Sequence, residues 1–560
     1  MTWTQIYDPL GHWWLSTLVA ALPIVVLLTL LAGFKIRPHL CALAGGIMAI
    51  LCVILVFHMP ARLAVTSFLY GGAFGLLKIV WIVIAAVFLY DISVDTGQFE
   101  IMKQSISAIT PDRRLQVLLV AFCFGAFLEG AAGFGAPVAI AGAFMIGLGF
   151  KPFQAAVLNL IANTSPVAWG SIGTPVHTLA VVTALPESDL SAMIGRILPW
   201  TALIIPFWLV RFLVNWTETL EVLPAILVVG ISFAATQYFW SNHVDSNLVD
   251  IAAGSVSMLA TLLFLRFWQP KRIWRFEGER LEDAAKVERG ERAVAHTPGQ
   301  IAKAWMPFAL LSLFVLLWGL PTIKIALGKA TTPAFSKGGW AVPYLHQAVF
   351  RAQPVVVKPT AENAKFDFNW LTATGTGCFL AAIAAGLLLG LKPGRIFQIF
   401  GRTLYRLRFA VMAMSCMLGL GFVTRYSGMD AVLGLAFTRT GWFFPFFGTY
   451  IGWLGVALTG SDTASNALFG GLQRITAQQL NLSPILMCAT NSAGGVMGKM
   501  IDAQSICIAT AATNQVGNEG MIFRKVFWHS VVLTAIVGVI VMLYAYVFPQ
   551  FIPHGLNFVH

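Results

Sequence analysis

The chain has 560 residues, of which 58% are hydrophobic and 11% charged, with a mean hydropathy of +0.78. A soluble domain carries about 25% charged residues, so the composition excludes a soluble globular fold and points to an all-α polytopic membrane protein, because only internally bonded helices satisfy their backbone in lipid. The formal net charge of +12 is no argument for nucleic acid, since basic residues mark the cytoplasmic loops of membrane proteins. The seven cysteines lie in apolar runs with no CxxC pair and imply neither a disulfide nor a metal.

Met1 to Gly11 carries no Lys or Arg, so no cleaved signal peptide is expected. The run from His12 to Phe34 is long enough to cross a bilayer, which takes about 20 residues. Lys35 and Arg37 follow it, which puts that loop inside and the N-terminus outside. A second span over 41–57 and a short external turn, His58 to Arg62, lead to a third span, Phe68 to Tyr90. The chain then returns inside to Lys103, Arg113 and Arg114. The most polar stretch, 269–300, is read as a cytoplasmic loop between a first transmembrane half, 1–268, and a second, 301–560. In the second half a span near Ile301 to Ile323 leads to an external loop, 324–368, and the chain comes back to Lys392, Arg395, Arg402, Arg406 and Arg408. The pattern predicts 12–14 transmembrane helices, the count depending on whether Gly- and Pro-interrupted segments cross fully or re-enter.

Two such segments hold the most informative residues. In the first half, near 127–173, Glu129, Gly130, Gly133 and Gly135 are followed by Asn163, Thr164 and Ser165 and then by Gly170. In the second, near 458–505, Gly460, Ser461, Asp462, Thr463, Ser465 and Asn466 are followed by Asn491, Ser492, Gly498 and Lys499. Placing Gly130 on Gly460 and Asn163 on Asn491 gives nearly equal separations and aligns Ser171 with Lys499, which predicts two structurally repeated halves with re-entrant hairpins or broken helices. Close helix packing explains the glycines. It does not explain Glu129, Asp462, Asn466, Asn491 and Lys499, because polar groups inside a bilayer persist where they line a protein-enclosed or watery site. Paired interruptions in corresponding halves are the sequence mark of a transporter's binding site.

With those residues in hand, the chain resembles the bacterial lactate permease family. The resemblance is carried by Tyr7-Asp8-Pro9, Gly97-Gln98-Phe99, Thr110-Pro111-Asp112, the run Phe122 to Pro137, and Gly147 to Pro152. In the second half it is carried by Leu458 to Thr463, Ser465 to Phe469, Gly498-Lys499-Met500 and Gln504-Ser505. It covers nearly the whole chain, and the run 122–137 is its most specific part. It implies import of L-lactate, and often D-lactate and glycolate, with protons across the bacterial inner membrane, from a site between two re-entrant hairpins. Asp502-Ala503 stands where the family pattern has a proline before Gln-Ser, which leaves the order of substrate preference open.

A monocarboxylate leaving water needs compensation for its charge. Broken-helix N-termini supply N–H groups and a partial positive charge, and Gly130, Gly133, Gly135 and Gly460 permit close backbone approach. Asn163, Thr164, Ser165, Ser461, Thr463, Ser465, Asn466, Asn491 and Ser492 add hydrogen-bonding groups. The hydroxyls also have the bland option of bonding to their own turn. Lys499 either binds the carboxylate or neutralises Asp462 or Asp502. Glu129 and Asp462 are the candidates for proton coupling, because a carboxyl taken out of water holds a proton more readily; Asp462 has helix capping as its alternative.

No HExxH, GxSxG or GxxxxGK[ST] occurs, so neither catalysis nor ATP-driven transport is indicated, and no cofactor is implied. The expectation is a secondary active transporter for 2-hydroxy monocarboxylates, with alternating access around the hairpin tips. Its partners are the monocarboxylate, protons and membrane lipid, without nucleic acid, and a homo-oligomer stays open. Sodium-coupled carboxylate transport, a polytopic membrane enzyme and a passive channel are the competing readings.

Overall fold

The computed structural model describes residues 2–554 apart from 31–33, 35, 108, 134–135, 277–295, 332–338, 357, 367, 369 and 516–517. Gly135, Lys35 and most of the 269–300 loop therefore fall outside the described residues.

The fold is an all-α membrane protein. Nine helices among the described residues are long and apolar enough to cross a membrane, and four apolar helices are shorter. In chain order the helices include α1 (Trp13–Leu28), α2 (Pro38–Leu55) and α3, which runs unbroken as Ala61–Asp95. They continue with α4 (Arg113–Ala131), α5 (Ala136–Gly147), α6 (Pro152–Ala162), α7 (Gly170–Thr183), α8 (Leu223–His243) and α9 (Val249–Phe267). In the second half they are α10 (Pro298–Gly319), α11 (Pro393–Ser427), α12 (Phe444–Thr459), α13 (Asp462–Gln479), α14 (Pro484–Gly498), α15 (Ala503–Ala512) and α16 (Glu519–Tyr546). Proline opens α2, α6, α11 and α14, where its missing N–H costs nothing.

Among the described residues five short strands form a small layer on one face. β1 (Trp3–Thr4) pairs in parallel with β3 (Val349–Arg351), which pairs with β4 (Thr360–Ala361). β2 (Trp340–Ala341) pairs antiparallel with β5 (Lys365–Phe366). The N-terminus and the 324–368 loop thus share a face. Helix α11 links that face to the other. Near its start Arg395 and Arg402 bind Asp95, the last residue of α3, at 2.8 and 2.7 Å. At its end the carbonyls of Arg425 and Tyr426 accept from Gln5. Its 35 residues span about 50 Å at 1.5 Å per residue, enough to separate the strand layer from the Arg-rich face. On that Arg-rich face the buried Arg114 guanidinium binds Asp112, Glu221 and the carbonyls of Glu218 and Arg272.

The core holds two helical hairpins. Helix α4, whose residues from Leu115 to Ala131 are all buried, folds back through Ala132–Gly133 into α5. Helix α12 folds back through Gly460–Ser461 into α13. Each hairpin is followed by a helix that stops inside the protein, α6 at Asn163 and α14 at Gly498, and by a second short helix, α7 and α15. The packing is exchanged between halves: α7 lies on α13 of the second hairpin, and α15 lies on α5 of the first. The breaks carry backbone that glycine accommodates, with Gly133 at φ +59° and Gly460 at φ +73°. At the break within the first turn of α7, Ser171, Ile172 and Gly173 are all left-handed. The hairpin arm α12 and the following helix α14 approach so closely that a Cβ on Gly452 would sit 1.9 Å from the Asn491 carbonyl, and one on Gly494 would sit 2.0 Å from that of Thr449.

The expected register of the two halves shifts at two points. The bend equivalent to Gly460 is at Gly133, whereas Gly130 lies inside α4, where a Cβ would meet Ile251 N at 2.8 Å. Likewise Asn163 ends α6 while Asn491 sits mid-helix in α14. A register drawn on residue identity follows side chains, whereas the backbone break follows positive φ.

Candidate functional site

The two tips and the two breaks meet at one cavity of about 270 Å³. Its polar wall comes from the hairpins and breaks and includes Glu129, Gly133, Ser171, Gly460, Ser461, Asp462, Thr463 and Lys499. The opposite wall comes from the first turn of α2 and the stretch Phe409–Met417 of α11. A close fit brings Glu129 there: a Cβ on Gly170 would lie 2.6 Å from Glu129 Oε1. Glu129 is buried, and its Oε2 has no hydrogen-bond partner among the described residues.

Each tip is tied to its neighbouring break by one side chain. Ser171 Oγ donates to the Ala132 carbonyl at 3.3 Å, and Lys499 Nζ donates to the Gly460 carbonyl at 2.5 Å. These are the two residues the repeat aligns. Lys499 also lies 3.6 Å from Asp502 Oδ2, with both side chains buried, and has Glu129 and Asp462 within electrostatic reach. Asp502 Oδ1 caps α15 through Ser505 N at 2.7 Å.

Asp462 is not the cap of α13; Ser461 fills that role, its Oγ accepting from Ala464 N at 3.3 Å. That frees the Asp462 carboxylate, whose Oδ2 accepts from Ser492 Oγ and from Asn466 Nδ2 at 3.3 Å, while Oδ1 has no partner among the described residues. Behind it Asn466 Nδ2 also donates to the Pro175 carbonyl at 3.2 Å. Asn491 Nδ2 donates to Asn466 Oδ1 at 2.9 Å and reaches Ser465 Oγ at 3.4 Å. Ser465 Oγ donates to the Gly452 carbonyl. Ser465, Asn466, Asn491 and Ser492 are thus a buried network that positions the second hairpin from behind and do not line the cavity. Thr164 Oγ1 bonds back to Ile161 O, and Asn163 and Ser165 are buried beside the first break, also off the lining.

Sequence reasoning gave no site role to four residues of interest, of which Ser171 and Gln504 entered only through the repeat and the family motif. Gln504, Ser171 and His39 line the cavity. Asp250 is fully buried in the first turn of α9, with neither carboxylate oxygen hydrogen-bonded among the described residues, and its Cβ lies against Gly130, next to Glu129. A carboxylate and a histidine at the edges of apolar runs are the signals that were available. Among the described residues no three His, Cys, Asp or Glu side chains gather as a metal would require.

Comparison with known proteins identifies the family. A family model described as L-lactate permease matches residues 16–548. The chain is 45% identical over 559 residues to the L-lactate permease of Salmonella typhimurium, covering 98% of this chain and 100% of that one. It is 44% identical over 553 residues to a glycolate permease of Escherichia coli, covering 98% and 99%. It is 41% identical over 574 residues to the L-lactate permease of Bacillus subtilis, covering 99% and 100%. Among solved structures it is similar to the YdaH transporter of Alcanivorax borkumensis at 14% identity, with a TM-score of 0.44 over 85% of this chain and 86% of that one. Matched along nearly its whole length by these permeases, the chain belongs to the L-lactate permease family.

Proposed function

We propose that this protein is a secondary active transporter, not an enzyme, that imports L-lactate and related 2-hydroxy monocarboxylates such as D-lactate and glycolate by proton symport. The names of its relatives, L-lactate and glycolate permeases, support the substrate class. The observation that carries the coupling is the charge of the cavity: one ammonium, Lys499, faces two carboxylates, Glu129 and Asp462. Such a site is already negative when all three are ionised, so bringing in a further carboxylate away from water is unfavourable unless protons accompany it. Glu129, Asp462 and Lys499 sit with the ends of broken helices, whose N-termini add partial positive charge for the anion.

In this reading Lys499 and the tip residues Gly460, Ser461 and Thr463 receive the substrate carboxylate, and Glu129 and Asp462 take up the protons. Gly133 shapes the first tip. Ser465, Asn466, Asn491 and Ser492 hold the second hairpin in place, and Asn163, Thr164 and Ser165 flank the first break. Alternating access is movement of the hairpin unit against the α2–α11 wall. By the positive-inside rule the strand layer and the N-terminus face outward, and the protein resides in the bacterial plasma membrane.

The test is uptake of labelled L-lactate into proteoliposomes with an imposed inward proton gradient and no sodium. Accumulation abolished by a protonophore is expected. Uptake that requires sodium, or that never exceeds equilibrium, overturns the coupling.

A further inference from the structure

The α2–α11 wall of the cavity is apolar except at one position. Pro38, Phe409, Ala410, Ala413, Met414 and Met417 offer no side-chain polar hydrogen, whereas His39 does. His39 is 6% exposed and its ring stacks on Phe409 at 4.6 Å between centroids and 18° between planes. Among the described residues nothing hydrogen-bonds to it. Two guanidiniums are close, Arg37 at 5.9 Å and Arg408 at 4.4 Å from the centre of the same Phe409 ring, but neither lines the cavity. His39 lines the cavity, and a polar solute bound there supplies the partner that its ring lacks among the described residues. Neutral imidazole carries one donor and one acceptor, the same pair of roles that an alcohol needs filled.

The two walls divide a small 2-hydroxy acid between them. Its carboxylate belongs with Lys499 and the tips. Its remaining atoms then face α2 and α11, where the apolar side chains suit the methyl group and a single side chain suits the hydroxyl. We propose that His39 is a specificity-determining residue that hydrogen-bonds the 2-hydroxyl of the bound monocarboxylate. Stacking on Phe409 fixes the plane of the imidazole, so the bond is made without ordering a flexible side chain. A substrate that lacks the hydroxyl leaves His39 unpaired, and that loss, more than the missing contact itself, produces the discrimination. This inference rests on the monocarboxylate reading of the cavity.

The experiment is counterflow of labelled L-lactate in proteoliposomes of the full-length protein, which needs no proton gradient, with unlabelled L-lactate or propionate as competitor. Propionate is lactate without its 2-hydroxyl. In the wild type propionate is expected to compete about tenfold less well than L-lactate. His39→Phe keeps a ring on Phe409 and removes the hydrogen bond, and His39→Ala removes both; in each the ratio is expected to fall towards one. His39→Gln keeps a donor and an acceptor and restores most of the preference. A wild-type ratio in His39→Phe or His39→Ala with counterflow intact overturns the role of His39 and leaves the transport reading standing. Absence of L-lactate counterflow in the wild type overturns both. Should both truncations fail to fold, equal competition by propionate and L-lactate in the wild type overturns the proposal, and a tenfold preference kept in His39→Gln supports it.

Discussion

Replacing Lys499 by Met removes the ammonium while keeping an unbranched side chain in a site that is 7% exposed. Two consequences separate cleanly. The first is structural: Asp502, fully buried and 3.6 Å away, loses its counter-charge. At an effective dielectric of about 20 that attraction is roughly 5 kcal/mol, in line with the roughly 3–5 kcal/mol lost when one partner of a buried pair is removed. The Gly460 carbonyl loses its donor as well. The second is functional: a charge-assisted hydrogen bond to the substrate is worth about 1.5–3 kcal/mol, so the KM for L-lactate should rise about ten- to a hundredfold. Thermal unfolding in detergent reads the first consequence and concentration-dependent counterflow reads the second. Lys499→Met combined with Asp502→Asn discharges the orphaned carboxylate and should recover most of the stability without recovering the KM. A Lys499→Met protein that is less stable but whose KM stays within about twofold of the wild type refutes the substrate role and leaves Lys499 as a tie between tip and break.

Glu129→Gln should abolish accumulation of L-lactate driven by a proton gradient while retaining some counterflow, because the amide cannot carry the proton; wild-type accumulation in this variant removes Glu129 from the coupling. In the strand layer, burial pushes the Glu362 carboxyl up, but Arg425 and Arg351 outweigh it and hold it below the ordinary range. A depressed carboxyl contributes stability that is present above the unfolded value of about 4.3 and is lost as pH falls through the folded value. The unfolding temperature should therefore drop on acidification below that point, and drop less in Glu362→Gln, which at neutral pH should already be less stable by about 3–5 kcal/mol. Parallel pH profiles for the two proteins would show that the ion pair contributes nothing. Gly452→Ala forces a methyl against the Asn491 carbonyl, where the gap is 1.9 Å. Overpacking of this kind costs about 1–3 kcal/mol, and thermal unfolding should show it, whereas Ala at the exposed-face Gly401, which meets nothing within 4 Å, should not.

The sequence by itself determined the class of this protein and the neighbourhood of its candidate site. Apolar runs of spanning length leave a chain no alternative to membrane helices, and glycines beside Glu129, Asp462 and Lys499 are too costly in lipid to lie anywhere but around a polar interior. What it could not decide is which polar residue faces the cavity and which stands behind it. Asn466, Asn491 and Ser492 look as much like ligands in the sequence as Ser461 or Lys499 do, yet the fold turns them onto one another and onto Asp462. Gly130 and Gly133 are three residues apart in one motif, but only Gly133 takes up the left-handed backbone of the tip, while Gly130 admits α9. His39 and Asp250 carry no local motif, because their importance comes from α11 and from Glu129, which are far away along the chain. Spacing along a chain reports the period of a helix; the direction a side chain faces at a break depends on the helices packed around it, and those are contributed by the other half of the molecule.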